Sequence, residues 1–129
     1  MIFIDTSVWI DFFKGKDTSL VNHLRNLLDQ GCVALAMPVW IELLSGATNT
    51  DLGRLRRVLS ALPRYYPKDL TWSTVEKWIE KAAVAGQRFA AVDLLIGAIV
   101  AEHGSQIWSL DRDFYRMKTL KFLEVFTPK

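Results

Sequence analysis

Asp5, Glu42, Asp93, Asp111 and Asp113 are acids set among large apolar side chains. A carboxylate taken out of water without a partner costs several kcal/mol, so an acid in such a setting either turns to solvent or serves a purpose. Asp5 closes the run Ile2-Phe3-Ile4, and Glu42 lies between Trp40-Ile41 and Leu43-Leu44. Asp93 opens the run Leu94 to Ala101, and Asp111 and Asp113 follow Gln106-Ile107-Trp108-Ser109. Brought together, these groups repel: two unit charges about 5 Å apart cost roughly 3 kcal/mol at an effective dielectric of about 20. Four of them either raise one another's pKa or demand a cation. Oxygen-only ligation selects a hard ion, Mg²⁺ or Mn²⁺. Such an ion activates water and offsets negative charge on a phosphate, which points to hydrolysis of a phosphodiester.

Each acid also has a plainer reading. Asp93 at a helix start can simply cap that helix, Asp5 can satisfy the N–H groups of a turn, and Glu42 can face solvent. The basic residues add to the chemical reading. Arg54, Arg56, Arg57 and Arg64 fall in one short region, while Arg88, Arg112 and Arg116 lie near the later acids. Such a cluster is a solvated helix face or an RNA contact. The two histidines, His23 and His103, fall on helix faces or ends, so a histidine general-base mechanism is not indicated.

The elements that must position these groups follow from periodicity. Ile2-Phe3-Ile4 reads as a central strand ending at Asp5, with Thr6 or Ser7 capping a helix that stops near Gly15. Asp17-Thr18-Ser19 opens a helix with Leu20, Leu24, Leu27 and Leu28 on one face. Val33 to Ala36 is a second strand, and Pro38 starts the helix that carries Glu42. Asn49 to Leu62 is a helix, and Arg64-Tyr65-Tyr66 between two prolines is a connection or edge strand. Thr71 to Ala85 is an amphipathic helix capped by Thr71 or Ser73. Val92 to Ala101 is apolar on every side and must be buried at the centre. Gln106 to Ser109 is a strand, Asp111 to Phe114 opens a last helix, and Leu120 to Phe126 supplies an edge strand. Alternating strands and helices define an α/β chain with a mainly parallel sheet and helices on both faces. Right-handed crossovers then bring the carboxyl ends of the strands, and the acids with them, to one edge. Trp9, Trp40, Trp72 and Trp78 read as core or interface anchors.

At 129 residues the chain is expected to be one domain spanning 1–129. Its net charge of +2 excludes a uniformly basic nucleic-acid glove. A single cysteine, Cys32, excludes an intrachain disulfide and a thiolate metal cluster. No apolar run approaches the roughly 18 residues of a membrane span, and the start lacks the features of a signal peptide. Together these features lead us to expect a cytoplasmic protein.

Four short segments carry a family resemblance: Ile2-Phe3-Ile4-Asp5-Thr6-Ser7, Pro38-Val39-Trp40-Ile41-Glu42-Leu43, Asp93-Leu94-Leu95-Ile96-Gly97-Ala98-Ile99 and Ser109-Leu110-Asp111-Arg112-Asp113-Phe114. Taken in order, they resemble the PIN (PilT N-terminus) domain, specifically the VapC-type toxin ribonucleases of toxin–antitoxin pairs, over nearly the whole chain. The resemblance implies a Rossmann-like fold and an endoribonuclease dependent on Mg²⁺ or Mn²⁺. It makes Asp5, Glu42, Asp93 and Asp111 the catalytic acids and assigns metal to Asp5, Asp93, Asp111 and Asp113. Thr6 matches a hydroxyl that supports the first Asp. Ser109 stands where the family more often has Thr. Arg88 and Arg112 are candidates for contact with RNA. The resemblance further implies a homodimer and a small VapB-like antitoxin that lays a segment across the site. Helices bearing Trp9, Phe12, Phe13 and Trp40 offer an apolar groove for that segment. Transfer RNA is the first substrate expected by this analogy.

Two other readings compete. A non-catalytic RNA-binding or protein-interaction module would use the acids to hold a structural ion. A receiver-like phosphorylation domain would need an Asp ending a mid-chain strand, and none follows Val33-Ala34-Leu35.

Overall fold

The computed structural model describes residues 1–129. Five short strands, β1 (Ile2–Ile4), β2 (Val33–Ala36), β3 (Arg64–Tyr65), β4 (Gln106–Trp108) and β5 (Glu124–Val125), form one sheet in the order β3-β2-β1-β4-β5. Every pairing is parallel, in register at Phe3 with Ala34 and Ile107, at Ala36 with Tyr65, and at Ile107 with Val125. The strands at the centre are built from residues that tolerate burial on both faces: Phe3 and Ile4 are 1% exposed, and Val33 to Ala36 are all buried. β1 is central, and Asp5 immediately follows it. Arg64–Tyr65 is an edge strand, and so is the end of the chain at β5.

Seven helices connect the strands: α1 (Thr6–Lys14), α2 (Thr18–Asp29), α3 (Met37–Gly46), α4 (Asn49–Leu59), α5 (Asp69–Val84), α6 (Ala91–Glu102) and α7 (Arg112–Thr119). The sheet order reverses direction between β3 and β4. Right-handed crossovers therefore set α1 to α4 against one face and α5 to α7 against the other. α6 is the central element that its composition demands: Leu94, Ile96, Gly97, Ala98, Ile99 and Val100 are all buried. It packs on α5 and α7, and also reaches α3. Gly97 permits this approach. A Cβ there would lie 2.9 Å from Leu123 Cδ2 and 3.2 Å from both Met117 Sδ and Trp78 Cζ3. No helix is long and apolar enough to cross a membrane.

Several helix ends differ from the sequence expectation, each for a local reason. Neither Thr6 nor Ser7 caps α1; Asp5 is its N-cap residue and makes no side-chain cap hydrogen bond, because its carboxylate is turned elsewhere. The end of α1 is as expected: Gly15 adopts φ 71°, and its N–H donates to the Asp11 carbonyl at 3.1 Å. α5 starts before Thr71, with Lys68 as N-cap; the Thr71 hydroxyl reaches back to accept from the Lys68 N–H at 2.9 Å. α4 stops at Leu59, and the chain passes through a turn ahead of Pro63, since a residue preceding proline is disfavoured in the helical region.

Candidate active site

The acids gather at the carboxyl edge of the sheet. Asp5 is 5% exposed and is fixed by hydroxyls on its Oδ2: Ser7 Oγ donates at 2.8 Å and Ser109 Oγ at 2.7 Å. Ser109 Oγ in turn accepts the Asp111 N–H at 2.9 Å, and Ser7 Oγ accepts the Leu110 N–H at 3.0 Å. The ends of β1 and β4 and the entry to α7 are thereby one hydrogen-bonded unit. Both donors sit on one carboxylate oxygen, which leaves Oδ1 of Asp5 free of these bonds.

Thr6 does not support Asp5. Its Oγ1 donates to Glu42 Oε1 at 2.7 Å, tying α1 to α3. The correction follows from helix geometry: successive residues point about 100° apart, so Thr6 and Ser7 at the start of α1 face different partners. Glu42 is half-buried and held by this hydroxyl.

Asp93 is the third residue of α6 and does not cap it; the N-cap residue is Ala90, and no side chain closes that end. The half-buried carboxylate of Asp93 instead forms a cluster with Asp111 and Asp113, one oxygen from each lying within 4.8 Å of the others. Burial, and after it the charges of Asp5, Asp111, Glu42 and Asp113 in that order, together push the Asp93 pKa up to about 6. All the sequence-predicted acids therefore act on one point. Asp111 is the N-cap of α7, with Oδ1 accepting the Asp113 N–H at 2.9 Å. The donor set fits a hard divalent cation: carboxylate oxygens only, convergent, half-buried, and electrostatically strained without positive charge.

Arg88 and Arg112 are both exposed, and neither enters an ion pair. Arg116 is the arginine that engages the acids, through Asp113 Oδ1 at 2.7 Å. Sequence reasoning placed it near the site without giving it a task, although its i,i+3 spacing from Asp113 was a readable signal. Ser7 was missed as the second donor to Asp5. The histidines are elsewhere. His103 follows the far end of α6, about 15 Å along the helix axis from Asp93, with Nδ1 2.8 Å from the Ile99 carbonyl. His23 lies edge-on to Trp108.

An apolar groove of about 360 Å³ between α1, α3 and α4 runs up to Glu42. Ile10, Phe13, Leu43 and Leu55 line it, with Arg54 stacked over Phe13 at 5.1 Å and donating to the Phe13 carbonyl at 2.8 Å. Of the aromatics expected to form a groove, only Phe13 does so. Trp9, Phe12 and Trp40 are 0%, 8% and 6% exposed and belong to the core, because the apolar face they share turns inward.

The sequence profile of the PIN domain matches residues 2–120. Ribonuclease VapC11 of Mycobacterium tuberculosis is 33% identical over 119 residues, covering 88% of this chain and 89% of its own. Among solved structures, VapBC2 from Rickettsia felis, bound to a DNA fragment from its promoter, superposes with a TM-score of 0.81 at 18% identity, covering 100% of both chains. VapC20 of M. tuberculosis, a toxin that cleaves the sarcin–ricin loop, superposes with a TM-score of 0.65 at 17% identity over 90% of this chain and 94% of its own. The chain belongs to the PIN domain family.

Proposed function

We propose that this protein is a toxin endoribonuclease, dependent on Mg²⁺ or Mn²⁺, that hydrolyses RNA phosphodiester bonds and is restrained by a VapB-like antitoxin. The observation that carries the reading is the convergence of Asp93, Asp111 and Asp113 within 4.8 Å, with Asp5 and Glu42 close enough to raise the Asp93 pKa. Similarity to ribonuclease VapC11 along almost the whole chain supports the same activity.

Asp93 and Asp111 would hold the cation, with Asp5 offering its free oxygen and Asp113 an outer contact. A divalent cation bound there would offset negative charge on the scissile phosphate and lower the pKa of water. Ser7 and Ser109 keep Asp5 from turning, so its charge stays aimed into the site. Thr6 holds Glu42 where it orients the attacking water and accepts its proton. Arg88 and Arg112, exposed beside the α6 and α7 starts, would contact RNA phosphates.

The proposed substrate is transfer RNA, and the working form a cytoplasmic homodimer. The groove that leads to Glu42 suits an amphipathic antitoxin helix, whose apolar side chains would meet Ile10, Phe13, Leu43 and Leu55. Purified protein incubated with total RNA tests the reading. Discrete fragments that need Mg²⁺ or Mn²⁺, disappear with chelator and are suppressed by the antitoxin support it. No cleavage by folded, antitoxin-free protein with either metal favours the ion-stabilised binding module instead.

A further inference from the structure

Arg116 makes four contacts that fix its guanidinium in one place. Nη1 pairs with Asp113 Oδ1 at 2.7 Å, Nε donates to Gln87 Oε1 at 3.1 Å, and Nη2 donates to the Arg88 carbonyl at 3.4 Å. Its Cζ lies over the Phe89 ring, 4.5 Å from the ring centre. The side chains of Arg116 and Asp113 are 40% and 32% exposed. An ion pair so open contributes little to stability, so stability does not account for such an elaborate mounting. Its electrostatic consequence is larger. The only other salt bridge in the protein, Lys118 to Glu124 at 4.0 Å, involves none of the clustered acids, so Arg116 is the one cation paired with the cluster. An arginine keeps that charge at every accessible pH.

We propose that Arg116 is the resident counter-ion of the acidic cluster, and that its fixed charge sets how tightly the site takes a divalent cation. The inference rests on the metal-dependent reading above and sharpens it. The Asp113 that Arg116 pairs with is one of the three carboxylates that converge there. The fixed positive charge also lowers the affinity of the site for a dication. Removing it strengthens binding by about threefold to tenfold, as expected for a unit charge several ångströms from a divalent ion and partly screened by solvent.

Titration calorimetry of Mn²⁺ into the full chain, without RNA and at fixed ionic strength, tests this. Arg116→Gln should bind Mn²⁺ at least threefold more tightly, whereas Arg116→Lys, which keeps the charge, should stay within about twofold of the parent. An Arg116→Gln variant that binds no more tightly overturns the proposal. So does an Arg116→Lys variant that gains as much as Arg116→Gln. Asp93→Asn is the control for the underlying reading. If it binds Mn²⁺ like the parent, the metal site itself is misassigned and both ideas fall; if it loses binding while Arg116→Gln is unchanged, only the role of Arg116 is lost.

Discussion

Ser109 and Asp5, the residues that follow the two central strands β4 and β1, are joined by a 2.7 Å hydrogen bond from Ser109 Oγ to Asp5 Oδ2. The same hydroxyl accepts the Asp111 N–H at 2.9 Å, so one small side chain sets the relative positions of two acids more than a hundred residues apart in sequence. Ser109→Ala removes both bonds at a residue that is itself only 2% exposed. It should cost about 1–3 kcal/mol, measured by urea unfolding, and should reduce RNA cleavage further than Ser109→Thr, which keeps a hydroxyl.

The elevated pKa of Asp93 makes stability pH-dependent in a definite sense. In the folded chain Asp93 keeps its proton up to about pH 6, against an ordinary value of 3.8. Between those values the folded state binds a proton that the unfolded state has released, so this group's contribution to stability falls as pH rises through the window and is flat above it. The size is on the order of 1–2 kcal/mol after allowance for solvent screening at a half-buried group. Thermal unfolding from pH 4 to pH 7 in chelator should show this decline in the parent and not in Asp93→Asn. With saturating Mn²⁺ the trend should reverse, because the ion binds the ionised carboxylate and loses affinity as Asp93 takes up a proton.

Gly97 lies mid-helix in α6, where glycine ordinarily weakens a helix relative to alanine. Here a methyl group would force the buried side chains of Leu123, Met117 and Trp78 to shift. Gly97→Ala should therefore destabilise the protein by about 1–3 kcal/mol despite its better helix propensity, as read from the shift in urea midpoint. A gain in stability would mean that the α6–α7 contact yields more readily than close packing allows.

Much of this arrangement was legible in the sequence. The apolar run from Leu94 to Ala101 reads as a central helix, and Ile2-Phe3-Ile4 as a central strand; crossover handedness then carries Asp5, Glu42, Asp93, Asp111 and Asp113 to one edge. What periodicity does not encode is side-chain direction within the first turn of α1. There a single residue step decides that Thr6 serves Glu42 and Ser7 serves Asp5. Nor does it separate an apolar face turned to the core from one turned to solvent, which is why Trp9 and Trp40 are core residues while Ile10 and Phe13 line the groove. The Arg116 contacts with Gln87, Arg88 and Phe89 join α7 to the segment ahead of α6, a tertiary relationship with no local sequence signal.

Asp93 is the point on which the other acids converge, so Asp93→Asn probes the central claim most directly. The measurement is cleavage of transfer RNA and total RNA by parent and variant, each with Mg²⁺, Mn²⁺ or chelator, with folding of the variant verified by circular dichroism. The account predicts metal-dependent fragments from the parent, and a loss of rate of at least about a hundredfold in the variant, the scale expected when a group that stabilises the transition state is removed. A folded Asp93→Asn protein that cleaves RNA at the parental rate, or a parent whose cleavage persists in chelator, would contradict it.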